Sequence, residues 1–302
     1  MDKMLEKFEG SILGLSIGDA LGMPTEWFTK EEIAEKYGLI DNFVDPKNKF
    51  NGILKAGQYT DDTDQTIAIL NSFDVRGFNN DIFIKELIKW YNNNPVGIGP
   101  TSTKAIEKLI EGDTTGCDSR TCGSSMRVGP LGLFYFGEYD KLKEITIKAT
   151  KLTHNNDEAI AGALSIAFFV AESVNNVKSE KSIKRCAKFI EDVSYDFSEK
   201  ILLINDLNSA DEAYNLFNTG LPAIECVPSA IATFLRTDTF KDGMISCVNA
   251  GGDTDSMGSM YGAIAGAYYG VSNIPEIWIA GLQNKDLLVD LSKKLYKLRF
   301  KK

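Results

Sequence analysis

The sequence has one histidine, His154, in 302 residues, and that scarcity removes every site built on two or three imidazoles. Its five cysteines, at positions 117, 122, 186, 226 and 247, include no Cys-x-x-Cys pair. Neither a zinc site nor a disulfide framework is indicated, and a reduced cytoplasmic setting is expected. Any metal is therefore expected to bind through oxygen. No apolar run exceeds Ala159–Ala171, which is too short to span a bilayer, and Met1–Lys7 is too charged for a secretory signal. Cations are also in deficit: Lys plus Arg is 33 against 42 Asp plus Glu, a net charge of -9 that argues against nucleic acid or an anionic membrane as partner. Period-two alternation is missing as well, so no strand is expected.

What is present is helical periodicity. Leu5, Phe8, Ile12 and Leu15 recur at steps of three and four, predicting a first helix over about residues 3–22. Within it Gly10, Gly14, Gly18 and Gly22 fall every fourth residue, and Gly258, Gly262, Gly266 and Gly270 repeat the pattern late in the chain. Glycine inside a helix costs about 0.5–1 kcal/mol relative to alanine, so two such stripes point to close approach of backbones at the centre of the protein. Capping boxes at Thr29–Glu32 and Ser209–Glu212 start further helices. Pro222 and Pro228 are expected to bracket a loop, and Leu287, Leu291, Leu295 and Leu298 to form the buried stripe of the C-terminal helix. The expected fold is all-α, a single compact domain over residues 1–302 with roughly a dozen helices.

Two stretches concentrate acids. Thr60-Asp61-Asp62-Thr63-Asp64 follows Gly57 and runs into a helix; Gly251-Gly252-Asp253-Thr254-Asp255-Ser256 has the same grammar about 190 residues later. One or two acids at a helix start are ordinary capping, but three within four positions exceed what a cap needs. Adjacent carboxylates repel, and a divalent cation relieves the repulsion. Asp253, Asp255 and Gly258 match the start of an EF-hand loop, but its twelfth position is Ile264 in place of Glu, so that motif is set aside. Hard oxygen donors favour Mg²⁺ or Mn²⁺, and two acid clusters would hold a pair of ions. Asp64 is expected to serve only as the helix cap.

Five ordered segments together resemble the ADP-ribosylglycohydrolases, the family that includes the enzyme removing ADP-ribose from dinitrogenase reductase. They are Gly14-Leu15-Ser16-Ile17-Gly18-Asp19-Ala20-Leu21-Gly22-Met23-Pro24-Thr25-Glu26, Thr60-Asp61-Asp62-Thr63, Gly123-Ser124-Ser125-Met126-Arg127, Thr153-His154 and Gly251-Gly252-Asp253-Thr254-Asp255-Ser256. The resemblance implies an all-α orthogonal bundle with two Mg²⁺ or Mn²⁺ ions. By it, Thr60, Asp61, Asp62, Asp253, Asp255 and Ser256 match the metal ligands, with serine where threonine is usual. Glu26 matches a glutamate on a mobile loop, an acid/base candidate, with Asp62 and Asp255 as further catalytic candidates. Cys122, Gly123, Ser124, Ser125 and Met126 match the loop that receives the substrate pyrophosphate on backbone N–H groups, and His154 matches a histidine near the bound ADP-ribose. Gly97-Ile98-Gly99 departs from the Asp-Ile-Gly of some arginine-directed members.

The expected activity is metal-dependent hydrolysis of the glycosidic bond between ADP-ribose and a protein side chain or small conjugate. The expected partners are such conjugates, with no nucleic acid or membrane partner, and a monomer is favoured. Two alternatives accompany it: an ADP-ribose-binding member of the same fold without catalysis, and a Mg²⁺-dependent isoprenoid-diphosphate enzyme. For the latter, Asp61-Asp62-Thr63-Asp64-Gln65 only approximates the Asp-Asp-x-x-Asp motif.

Overall fold

A helix whose fourth residues are all glycine presents bare backbone along one face, and only an equally bare partner can reach it. The computed structural model, which describes residues 2–300, pairs the two striped helices with each other. Among the described residues the helices are α1 (Lys3–Gly22), α2 (Lys30–Tyr37), α3 (Asp61–Asn71), α4 (Asn80–Tyr91), α5 (Pro100–Ile110), α6 (Gly129–Tyr135), α7 (Tyr139–Lys151) and α8 (Asp157–Val174). They continue with α9 (Glu180–Ile190), α10 (Tyr195–Leu202), α11 (Ala210–Phe217), α12 (Ala223–Arg236), α13 (Phe240–Val248), α14 (Thr254–Tyr269), α15 (Glu276–Gly281) and α16 (Lys285–Phe300). The fold is all-α and single-domain; its one sheet is a hairpin of two-residue strands, Phe73–Asp74 with Gly77–Phe78.

α1 and α14 run antiparallel at backbone contact. A methyl group added at Gly10 would lie 2.5 Å from the Gly266 carbonyl oxygen, one at Gly14 2.5 Å from that of Gly262, and one at Gly18 2.0 Å from that of Gly258. The reverse distances, from Gly258, Gly262 and Gly266 to the Gly18, Gly14 and Gly10 carbonyls, are 2.5, 2.0 and 2.0 Å. Ser11 Oγ donates across the seam to the Ala263 carbonyl at 2.8 Å, and Thr254 Oγ1 to that of Gly22 at 2.9 Å. Gly270 stands outside the stripe: it is the C-cap of α14, at φ +79°. The register places the C-terminal end of α1 against the first turn of α14, where Gly22 faces Thr254 and Asp255.

Around this pair lies one large apolar cluster reaching from Phe8 to Leu295. α8, whose residues Ala159–Val174 are all buried, runs through its middle, as befits a helix that is apolar on every side. No helix among the described residues is long and apolar enough to cross a membrane. Several sequence expectations are corrected. Pro222 and Pro228 do not bracket a loop: α12 begins at Ala223 and carries Pro228 inside it. Burial of Cys226, Val227, Ala230, Ile231 and Phe234 on α12 offsets the backbone bond that proline removes. On α16 the buried stripe is Leu288, Leu291 and Leu295, one step round from the expected phase, so that Leu287 faces solvent. Among the described residues the α-helices number sixteen, and short ones such as α15 have too few residues to show a period in the sequence.

The seam can be tested by its sterics. Gly18→Ala is expected to cost about 3 kcal/mol or more, because the neighbouring carbonyl is backbone and cannot rotate away. Gly99→Ala, at a position with nothing within 4 Å, should cost a few tenths of that. Urea unfolding of both variants measures the contrast, and similar midpoints would disprove the packing.

Candidate active site

The two acid stretches meet. Each opens a helix, α3 at Asp61 and α14 at Thr254, and the glycine seam directs both helix starts to the end of α1. Carboxylate oxygens of Asp19, Asp62 and Asp255 lie within 4.8 Å of one another, and so do those of Glu26, Asp253 and Asp255. All five side chains are buried. Four of them, Glu26, Asp62, Asp253 and Asp255, line a cleft of about 380 Å³ together with Asp61, Ser256, Lys49, Gly97, Cys122, Gly123, Met126 and His154, while Asp19 lies behind it. A larger depression of about 570 Å³ on α16 is lined by Lys293, Lys294, Lys297, Asp290 and Leu298 alone and holds no such cluster.

Ordinary capping does not explain these acids. Thr60 and Asp253 occupy the N-cap positions of α3 and α14, yet neither side chain makes a capping hydrogen bond. Asp64, expected to cap α3, instead accepts a bond from Trp90 Nε1 at 2.9 Å. The cap comes from Asp19, in another helix. Its two oxygens accept from the N–H groups of Thr60 and Thr63 at 2.9–3.0 Å and from both threonine hydroxyls at 2.7 Å. The Thr60 hydroxyl thus donates its proton to Asp19 and keeps its lone pairs free. Asp19 had no role assigned from sequence, although an acid one residue after a stripe glycine must be carried into the seam.

The glycines before Asp253 have a local task. Gly251 and Gly252 sit at φ +83° and +79°, and a side chain at Gly252 would meet the Thr219 carbonyl at 2.3 Å. Gly252 exchanges two backbone bonds with the chain after Glu26: Trp27 N–H to the Gly252 carbonyl at 2.8 Å, and Gly252 N–H to that of Phe28 at 2.9 Å. The pairing holds Glu26 beside Asp253. Glu26 is only 7% exposed; its Oε1 receives Lys49 Nζ at 2.9 Å, and its Oε2 has no protein partner.

Crowding governs the charges. Burial, then the neighbouring charge of Asp255, raises Asp19 to about 7, and the same two causes raise Glu26 to about 8. Burial followed by mutual repulsion lifts Asp61 and Asp62 well above the usual carboxylate range. Asp253 is lifted as well, by burial and then by the Cys122 thiol. Asp62 Oδ1 and Glu26 Oε2 are buried without a partner, the condition that a bound divalent cation would relieve. The donor set therefore fits metal binding.

On the far side of the cleft, Cys122–Arg127 forms a six-residue 3₁₀ turn leading into α6. Cys117 bridges His154 and Thr121 bridges Pro222, so the segment leading into the turn is pinned at two points. The Cys122 N–H is already bonded to the Leu221 carbonyl at 3.0 Å and the turn's own bonds engage the N–H groups from Ser124 on, which leaves the Gly123 N–H for a ligand. Cys122, Gly123 and Met126 line the cleft, whereas the Ser124 and Ser125 side chains are turned inward, against Ala159 and Gly162. Gly123 must lack a side chain, because one would meet the His154 ring at 2.9 Å.

A buried polar chain joins this loop to the acids. Gln65 Nε2 donates to Asp61 Oδ2 at 2.8 Å, Arg127 donates to Gln65 Oε1, and its other nitrogen donates to Thr153 Oγ1 at 2.6 Å. Thr153 Oγ1 in turn bonds His154 Nδ1 at 2.8 Å, and His154 Nε2 bonds Thr121 Oγ1 at 3.0 Å. Burial, then Arg127, lowers His154 to about 3, so the ring is neutral, with one nitrogen facing each of the two threonine hydroxyls. Arg127 itself falls to about 10 through burial and stays charged. Arg127 and Gln65 were not assigned roles from sequence, because only the fold shows that they share a chain of bonds.

The model of the family described as ADP-ribosylglycohydrolase matches residues 1–302. The chain belongs to that family. It is 30% identical over 285 residues to the ADP-ribosyl-[dinitrogen reductase] glycohydrolase of Rhodospirillum rubrum, covering 91% of this chain and 90% of that one. An uncharacterized protein of Archaeoglobus fulgidus is 35% identical over 305 residues, covering 99% and 98%. A solved structure titled ADP-ribosylglycohydrolase-related protein complex superposes with a TM-score of 0.83 at 24% identity, covering 99% of this chain and 100% of that one, and so shares the fold.

The raised carboxyls give a linkage test. Their contribution to stability is complete below about pH 4 and is lost as the pH rises through about 7 for Asp19 and about 8 for Glu26. A cation replaces the protons, so the rise in melting temperature on adding Mg²⁺ to chelator-treated protein should be larger at pH 8 than at pH 6. At 100-fold saturation the gain is about 2.7 kcal/mol, or about 5 °C. Equal shifts at both pH values would contradict the assignment.

Proposed function

We propose that this chain hydrolyses the bond between the anomeric carbon of ADP-ribose and a modified protein side chain or small conjugate, with two Mg²⁺ or Mn²⁺ ions. Thr60, Asp61, Asp62, Asp253, Asp255 and Ser256 would hold the ions. The observation that carries the reading is the meeting of two acid clusters from distant parts of the chain, across one cleft from a glycine-bearing turn whose entry is pinned by two bridges. When bound, divalent cations would supply Lewis acidity towards the ribose hydroxyls and water, and would offset the protein's negative charge for an anionic substrate.

The chain's own residues do the rest. The turn from Cys122 to Met126 would receive the pyrophosphate, first on the Gly123 N–H, and His154, held neutral, fixes that turn through Thr121 without adding charge. Glu26 carries the proton at Oε2, the oxygen left free when Lys49 holds Oε1. Asp62 and Asp255 are the further candidates for that function: Asp255 shares an oxygen cluster with Glu26, and both share one with Asp19. Gly97, at φ +89° with a hypothetical methyl 3.0 Å from Thr60 Cβ, leaves the space beside Asp61 without a side chain. A leaving group there meets no carboxylate from position 97. The five free thiols fit a cytoplasmic setting.

A panel of proteins ADP-ribosylated at Arg, Ser or Cys, plus O-acetyl-ADP-ribose, tests the reading with and without Mg²⁺. Release of ADP-ribose from at least one substrate is expected. Asp61→Ala and Asp255→Ala should each lower it at least about 100-fold, as should EDTA. Binding of ADP-ribose without turnover of any substrate would favour a non-catalytic role.

A further inference from the structure

The cleft holds sulfur as well as oxygen. Cys122 Sγ donates to Asp253 Oδ2 at 2.9 Å, and the sulfurs of Cys122 and Cys226 and a carboxylate oxygen of Asp253 all lie within 4.8 Å of one another. Three separate elements bring them there: the start of the 3₁₀ turn, the first turns of α12, and the N-cap of α14. All three residues are buried, and Cys122 and Asp253 also line the cleft, which provides a path for an ion. Bonds of about 2.3 Å to sulfur and about 2.0 Å to oxygen put tetrahedral ligands about 3.5–3.8 Å apart. The observed cluster spans that separation.

This donor set differs in kind from the neighbouring one. Thr60, Asp61, Asp62, Asp255 and Ser256 offer hard oxygens, whereas Cys122 and Cys226 offer two polarisable sulfurs beside one carboxylate. Asp253 belongs to both. We propose that Cys122, Cys226 and Asp253 form a second metal subsite, selective for a thiophilic divalent cation such as Zn²⁺ or Cd²⁺, whose filling withdraws Asp253 from the oxygen centre and arrests hydrolysis. Two metal–sulfur bonds form as two S–H bonds break, so two protons leave per ion bound. The sequence showed none of this, because Cys122 and Cys226 are more than a hundred residues apart and follow no ligand spacing.

Only the arrest of hydrolysis rests on the function proposed above; occupancy of the subsite does not. The test titrates the full, metal-free chain with Cd²⁺ and follows the ultraviolet sulfur-to-cadmium charge-transfer band. A band saturating at one ion per chain is expected, retained in Cys117→Ser and lost in Cys226→Ser. The latter should keep Mg²⁺-dependent turnover and lose inhibition by Zn²⁺. Cadmium NMR of the unaltered chain guards against misfolding of the variant, since its shift separates mixed sulfur–oxygen ligation from oxygen alone. No band, a band that survives Cys226→Ser, or an all-oxygen shift would overturn the subsite. A band without Zn²⁺ inhibition of an active enzyme would overturn the arrest alone. An inactive chain that shows the band would count against the proposed hydrolase and leave the subsite standing.

Discussion

Everything near the cleft depends on backbone meeting backbone between α1 and α14. Six glycines, Gly10, Gly14 and Gly18 against Gly266, Gly262 and Gly258, let two helices touch at their carbonyls. Such contact has essentially one register, since shifting either helix by a residue drives a side chain into a carbonyl. That register sets Asp19 where it can take the N–H groups of α3, and sets Asp255 beside Gly22. Glycine's penalty in a helix is thus converted into positional accuracy for acids that belong to opposite ends of the chain.

The second constraint is electrostatic. Buried carboxyls at Asp19, Glu26, Asp61, Asp62, Asp253 and Asp255 face two nearby cations, Lys49 and Arg127. Lys49 pairs with Glu26 alone, and Arg127 reaches Asp61 only through Gln65. Neither neutralises the group, so the protein holds the acids together against their repulsion and keeps oxygens such as Asp62 Oδ1 unpartnered. Arg127 also stacks 5.4 Å over the Phe83 ring, which fixes the guanidinium midway between the acid side and the His154 side.

Much of this was legible in the sequence. Glycines four apart, the capping box at Thr29, and acids packed at two helix starts are local patterns, and each appears where its chemistry requires. What stayed hidden depends on distant partners. Asp64 looked like the cap of α3, but capping is judged by who reaches the N–H groups, and Asp19 reaches them from another helix. Pro228 read as a break because its missing donor is a local fact, while the burial that outweighs it is not. Leu287 was assigned to the core because a leucine every fourth residue drifts round a helix of 3.6 residues per turn, and the neighbours choose which edge is covered.

The seam between α1 and α14 also sets an order of events in synthesis. α1 leaves the ribosome with a glycine face that no segment before residue 254 can cover. At about 5–20 residues per second, α1 waits on the order of 10–50 s for its partner. Until then Asp19 has no fixed place, α3 lacks its cap, and Glu26 has no Gly252 to hold it. An unfinished chain therefore possesses most of the cleft's walls and none of its working geometry: competence arrives late and all at once, when the two striped helices close.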